Sequence, residues 1–253
     1  MFNTEREAYI VEKLKQQGRV MVNELAEELD VTTMTIRRDL QRLHQQGTLQ
    51  KVHGGAVLPN CLPKEKPFGE KKLILTQQKR TIASQAMELI TLGDTILLDA
   101  GTTTFEIACL LKEMPGVHVV TSDLHIAMEL CSAEGKLFFI GGEIEKELGR
   151  STGSKAFQFL SDIHVDTVFL GISSVSDDFL LGSHTIENAE LKRTFLKCGS
   201  RKVLLADKTK FGTKAFAQIG PLSLMDLLIT DKGFNEAELK YFETHGIELR
   251  QVQ

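Results

Sequence analysis

The sequence predicts an α/β protein of two domains, a small N-terminal unit of three helices with a β-wing and a larger unit built on a mostly parallel sheet. Three observations predict it. At 253 residues the chain exceeds one average domain. Residues 59–69 gather three of the five prolines with charges and turn-forming residues, a composition that resists regular structure and marks a linker. From Thr95 onward, short apolar runs alternate with helical stretches, as strands covered on both faces do. The domains are therefore 1–58 and 70–253, joined by 59–69.

In the first domain, Ile10, Val11 and Leu14 mark a helix that ends at Gly18. Leu25, Ala26 and Leu29 mark a second, with Asn23 as its cap. The hydroxyls of Thr32 and Thr33 can accept from backbone N–H groups just before Ile36, Leu40 and Leu43, so a third helix runs from near Thr33 to Gly47. Opposite its apolar stripe stand Thr33, Thr35, Arg37 and Arg38, short hydrogen-bonding side chains and two planar cations. Those are the groups that major-groove base edges and phosphates require. Beyond Gly47, Thr48–Val52 alternates apolar with polar, His53-Gly54-Gly55 turns, and Ala56–Leu58 returns. This wing carries Lys51 and His53, and the whole is a winged helix-turn-helix.

Charge decides between a solvated helix face and a nucleic-acid contact. Residues 1–58 hold eight Lys/Arg and eight Asp/Glu, but residues 33–54 hold Arg37, Arg38, Arg42 and Lys51 against Asp39 alone. With a net charge of −4 over the chain, any DNA contact has to be local to that face. Cys61, Cys109, Cys131 and Cys198 are widely spaced, with no C-x-x-C pair or nearby histidine cluster, so reduced and mostly buried thiols are expected, and no metal or cofactor. No signal-peptide core and no apolar run long enough for a membrane are found, which makes a cytoplasmic protein the expectation.

In the second domain a long helix is expected from Lys71 to Thr91. Strands follow at 96–99, 117–121, 137–140, 167–171, 203–206, 227–230 and 247–249, with helices at 105–114, 124–131, 155–160, 189–198 and 236–245. Ligands of such sheets collect beyond the carboxyl ends of the strands. Here those ends read Asp99-Ala100-Gly101-Thr102-Thr103-Thr104, Thr121-Ser122-Asp123, Gly141-Gly142 and Asp207-Lys208-Thr209-Lys210. Glycine lets backbone approach an anion, hydroxyls and helix-start N–H groups donate to it, and carboxylates accept from sugar hydroxyls. A phosphorylated sugar or polyol is the expected ligand, with Asp99, Asp123 or Asp207 on its hydroxyls and Lys71, Lys79 or Lys210 on its charge. His184, Glu187 and Glu190 are further candidates for the lining, against the plainer fate of an exposed helix start.

The run V-T-T-M-T-I-R-R-D-L-Q-R-L-H-Q-Q-G-T-L-Q-K-V-H-G-G-A resembles the signature of the DeoR family of bacterial transcription regulators, with Thr32 in place of its Ser and Lys51 in place of its Arg. D-A-G-T-T-T at 99–104, T-S-D at 121–123, G-G at 141–142 and D-K-T-K-F-G at 207–212 are similar to motifs of that family's effector domain, whose fold resembles ribose-5-phosphate isomerase. The resemblance implies a homo-oligomeric regulator, dimer or tetramer, that binds double-stranded operator DNA, usually to repress a sugar-catabolic operon, through a sensor domain holding a phosphorylated sugar effector. It implies ligand contacts at Asp207, Lys210 and the 102–104 threonines. After the fourth strand the chain departs from the family's pattern with Gly171-Ile172-Ser173-Ser174.

Two other readings compete. A sugar-phosphate isomerase needs a base over the sugar carbons, and the acid-rich run that carries it in the isomerase is replaced by Gly171-Ile172-Ser173-Ser174. A P-loop, G-x-S-x-G and H-E-x-x-H are all absent. A winged helix used for docking protein would present apolar anchors rather than Arg37 and Arg38 among threonines.

Overall fold

The structure, a computed structural model, describes residues 3–17, 19–52, 54–57 and 65–253. The wing residue His53 and most of the linker lie outside the described residues. The chain divides into two compact units between Glu65 and Lys66.

In the first unit, α1 (Asn3–Gln17), α2 (Val22–Glu28) and α3 (Thr33–Gln45) bury Ile10, Leu14, Leu25, Ile36, Leu40 and Leu43 together. A three-stranded antiparallel sheet of β1 (Arg19–Met21), β2 (Gln50–Val52) and β3 (Gly55–Val57), in the order β1-β3-β2, completes the wing. The periodicity foreshadows β2 and β3 but not β1, which at three residues is too short to show alternation. Gly54 turns with φ +76°, and a Cβ on Gly55 would stand 2.0 Å from the Val20 carbonyl oxygen, so only glycine allows β1 and β3 to close.

Two expectations fail here. Asn23 does not cap α2, which starts one residue earlier at Val22; the Val22 N–H donates to the Gly54 carbonyl at 2.8 Å, and the wing's turn takes the cap's place. Arg42 does not belong to the exposed basic face. Its guanidinium lies 2.5 Å from Asp39 and 3.2 Å from Glu7, and Asp39 also accepts from Arg6 at 2.5 and 3.2 Å. Asp39 is fully buried and draws α1 onto α3.

The second unit opens with α4 (Phe68–Leu73) and α5 (Thr76–Met87), where the apolar pattern suggests one long helix. Leu75 breaks it by taking a left-handed conformation, φ 53° and ψ 39°. The Lys79 ammonium secures the break, donating to the carbonyls of Lys71 at 2.5 Å and Ile74 at 2.6 Å. Phe68 and Gly69, expected in the linker, belong to α4.

There follow β4 (Thr95–Leu98), α6 (Thr102–Leu111), β5 (His118–Thr121), α7 (Leu124–Leu130), β6 (Leu137–Phe139), the hairpin β7 (Glu143–Glu145) and β8 (Arg150–Thr152), and α8 (Ser154–Ser161). Then come β9 (Val165–Gly171), β10 (Ser174–Val175), β11 (Leu180–Ser183), α9 (Ile186–Cys198), β12 (Gly199–Leu205), β13 (Ala217–Pro221), β14 (Leu227–Thr230), α10 (Glu236–His245) and β15 (Glu248–Gln251). Seven strands form one parallel sheet in the order β15-β14-β12-β9-β4-β5-β6. Alternate residues of its central strands enter two cores: Leu97, Val168 and Leu204 pack with α8 and α9, while Ile96, Leu98, Phe169 and Val203 pack with α5, α6 and α7. This is why those strands are apolar on both faces. A second, antiparallel sheet, β10-β11-β13, lies against the first core.

Removing the carboxylate that both Arg6 and Arg42 face should destabilise the first unit by about 3–5 kcal/mol, the range for breaking a buried ion pair from one side. In Asp39→Ala, amide hydrogen exchange in α1 and α3 should speed up while the parallel sheet keeps its protection. Unaltered protection in α3 would show that Asp39 does not join the helices.

Candidate functional site

The first candidate surface is the outer side of α3. The Thr32 hydroxyl accepts from the Thr35 N–H at 3.2 Å and lies 3.0 Å from the Thr35 hydroxyl, so these two threonines build the helix start. Thr33, Arg37 and Arg38 are exposed. Lys51 on β2 donates to Gln41 Oε1 at 2.7 Å, which ties the wing to α3 on that same side. Gln41 is a bridging residue that sequence reasoning missed, because a glutamine on a polar helix face carries no distinguishing signal.

The second candidate lies at the carboxyl edge of the parallel sheet. Chain order runs outward from β4 through β5 to β6, then resumes beside β4 at β9 and runs the other way, so loops after β4 and β9 part at a switch point. There a buried ion pair joins them: Lys192 on α9 donates to Asp99 Oδ2 and, at 2.9 Å, to the Gly171 carbonyl, while the Gly171 N–H donates to Asp99 Oδ2 at 3.0 Å. Asp99 and Lys192 are both nearly inaccessible. Lys192 was missed by sequence reasoning. The available signal was its place among Leu191, Phe195 and Leu196, a lysine inside an apolar stripe.

Around this pair the predicted residues take two kinds of role. Some are fully used by the fold. Thr104 donates to the carbonyls of Asp99 and Gly101 at 2.6 and 2.9 Å, and Thr121 donates to Leu98 O at 2.8 Å. A Cβ on Gly142 would meet the Thr152 carbonyl oxygen at 2.0 Å, so Gly142 lets the β7–β8 hairpin fold back, and Gly141 beside it is exposed. Others have capacity left over. Asp99 Oδ1, Ser122 Oγ and Asp123 Oδ2 are buried and have no hydrogen-bond partner among the described residues. Across the switch point, Ser174 Oγ and Asn188 Oδ1 share that condition.

Asp123 caps α7, accepting from the N–H groups of His125 at 2.7 Å and Ile126 at 3.2 Å. Burial pushes its carboxyl pKa up, against the opposing pull of those bonds and of His125. By contrast α6 begins at Gly101 with no side-chain cap, and Thr102 and Thr103 in its first turn are buried. Its leading N–H groups therefore have no intrahelical acceptor, the arrangement that suits a helix start to an anion.

Asp207 caps the short 3-10 turn Lys208–Lys210, accepting from the Thr209 N–H at 2.9 Å and from its hydroxyl. Lys79 feels the charges of Asp207, Lys210, Lys71 and Glu106, which gathers the three predicted lysines into one electrostatic neighbourhood. Burial lowers the Lys79 pKa to about 8. His184 and Lys71 are half-buried, and Glu187 and Glu190 are exposed on α9.

Beside Asp123, aromatic rings join α4 to α6 and α7. Phe68 of α4 stacks on His125 with ring centroids 3.6 Å apart, meets Phe105 of α6 edge-on at 5.4 Å, and donates its N–H to the Glu147 carbonyl of the hairpin turn at 3.2 Å. A separate shallow depression, lined by Leu111, Met114, Val117 and Leu130 with Glu134 and Lys136 at its edge, lies by the amino ends of β5 and β6, away from the strand ends described above. Among the described residues no cluster of metal-binding side chains is present, no helix is long and apolar enough to cross a membrane, and Cys109, Cys131 and Cys198 are unbridged thiols. Cys131 is exposed rather than buried, whereas burial raises the Cys198 pKa to about 11.

Two family models match successive parts of the chain. The family model of the DeoR-like helix-turn-helix domain matches residues 6–61, and that of the DeoR C terminal sensor domain matches residues 75–232. The glycerol-3-phosphate regulon repressor of Escherichia coli K12 is 32% identical over 98% of this chain and 99% of its own. The HTH-type transcriptional repressor GlcR of Bacillus subtilis 168 is 32% identical over 98% of this chain and 96% of its own. Among solved structures, ribose 5-phosphate isomerase A of Methanocaldococcus jannaschii overlays with a TM-score of 0.40 at 18% identity, covering 54% of each chain, too loose a likeness to bear on function. With both halves matched in order and full-length relatives of one kind, the chain belongs to the DeoR family, as a sequence-specific transcriptional regulator rather than an enzyme.

Proposed function

We propose that this regulator represses a sugar-related operon by gripping operator duplex with α3 and the wing, and that a phosphorylated sugar or polyol at the carboxyl edge controls the grip. The observation that carries the ligand reading is the group of buried oxygens on neighbouring strand ends, Asp99 Oδ1, Ser122 Oγ and Asp123 Oδ2, that have no partner among the described residues. Leaving such atoms dry and unbonded costs about 1–3 kcal/mol each, and a polyol's hydroxyls are the donors that would satisfy them. Ser174 and Asn188 extend the same chemistry toward α9. The phosphoryl group would take the N–H groups at the start of α6, with Thr102, Thr103, Lys71, Lys79 and Lys210 supplying hydroxyls and charge.

On the DNA side, Arg37, Arg38, Thr33 and Lys51 are the contacts, with His53 carried over from the wing motif. Dimeric reading heads require paired half-sites, so a homo-oligomer on repeated operator elements is expected. Signal would pass through α4, which follows the linker directly and touches both α6 and α7 through Phe68. A hundredfold change in DNA affinity requires the ligand to favour one arrangement by about 2.7 kcal/mol, within the usual range for coupled sites.

Three outcomes test the reading. In gel-shift titrations Arg38→Ala should lose about 1–3 kcal/mol of operator affinity if Arg38 reads a base; unchanged affinity in the Arg37→Ala, Arg38→Ala double variant would refute the docking. Lys210→Ala should bind operator normally yet no longer respond to sugar phosphates, and a normal response would mean the pocket is misassigned. Lys79 is charged below about pH 8 and neutral above it. Affinity for a sugar phosphate, measured by calorimetry, should therefore be full below pH 8 and fall as pH rises through it, and Lys79→Met should flatten that fall.

A further inference from the structure

α3 carries one residue that neither the fold nor the contacts above account for. Met34, in its first turn, is 63% exposed and takes no part in the hydrophobic core of the first unit. A single exposed apolar side chain is unremarked on most surfaces. This one stands elsewhere. Met34, Arg38 and Gln41 follow one another at i, i+4 and i+7, which aligns them on a single stripe of the helix. Ile36, Leu40 and Leu43 hold the opposite, buried stripe. Gln41 receives the wing lysine, so the stripe bearing Met34 is the one that α3 and the wing present jointly.

Met34 occupies the amino-terminal end of that stripe, and in helix-turn-helix proteins the amino-terminal residues of the recognition helix are those that meet base edges. Its neighbours Thr33, Arg37 and Arg38 are polar or charged. A flexible, unbranched thioether donates no hydrogen bond and accepts only weakly, so what it chiefly offers a base is apolar contact. The major groove displays one apolar group, the C5-methyl of thymine. We infer that Met34 reads a thymine methyl in each operator half-site and so contributes sequence preference that the arginines do not. The inference rests on α3 being the reading helix, and the contact it describes is apolar, so it should be insensitive to salt while the arginine contacts are not.

The test uses the full-length protein and duplexes selected by it from a random pool. Each thymine of the selected site is replaced in turn by deoxyuridine, which removes the methyl and nothing else. One position per half-site should weaken binding about fourfold on losing its methyl, the worth of one methyl-sized group withdrawn from water. Met34→Ala should bind thymine and uracil there equally, keep the slope of affinity against salt, and keep its circular dichroism; Met34→Leu should retain the discrimination. If Met34→Ala preserves every thymine-to-uracil difference while Arg38→Ala weakens binding, the methyl reading is overturned and α3 remains the reading helix. If neither variant changes affinity or the selected sequence, the docking of α3 fails, and the role of Met34 with it.

Discussion

The parallel sheet of this regulator turns on the ammonium of Lys192 between the Asp99 carboxylate and the Gly171 carbonyl. Two charges withdrawn from water are destabilising unless geometry and further hydrogen bonds compensate. Here the carboxylate oxygen that takes the lysine also takes the Gly171 N–H, so one small cluster stitches the ends of β4 and β9 just where the chain reverses its direction of travel. The other Asp99 oxygen is buried with no partner among the described residues.

The same economy of charge shapes the winged helix. Of the four cations in residues 33–54, Arg42 is turned toward the carboxylates of Asp39 and Glu7, while Arg37, Arg38 and Lys51 stay exposed. The outward field of α3 is therefore narrower than a count of charges suggests. A net-acidic chain can tolerate such a face because attraction to phosphate falls off within about 8–10 Å at ordinary salt.

How far the sequence reveals this depends on how strongly each element signs itself. The central strands of the parallel sheet are legible because burial on both faces demands apolar runs such as Thr95–Leu98 and Leu227–Thr230, whereas the edge strand β15, Glu-Leu-Arg-Gln, is partly exposed and shows only through its place after α10. The β7–β8 hairpin is not legible, since Glu-Ile-Glu and Arg-Ser-Thr look like loop, and β10 at two residues has no period. The break at Leu75 was hidden because leucine rarely takes a left-handed conformation, and here the tertiary bonds of Lys79 hold it there. The glycine- and hydroxyl-rich strand ends announced themselves. Their division between structural and spare hydrogen-bonding capacity did not, because it depends on which backbone carbonyls come within reach.

The partners of the buried pair stand 93 residues apart in the chain. On a translating ribosome Asp99 therefore emerges several seconds before the lysine that neutralises it, at roughly 5–20 residues per second. The winged helix, whose contacts close within its own short span, can mature during that interval. The half-made sheet meanwhile exposes the flank of β4 that β9 will cover, which makes chaperone demand a property of this stretch of synthesis rather than of the finished molecule.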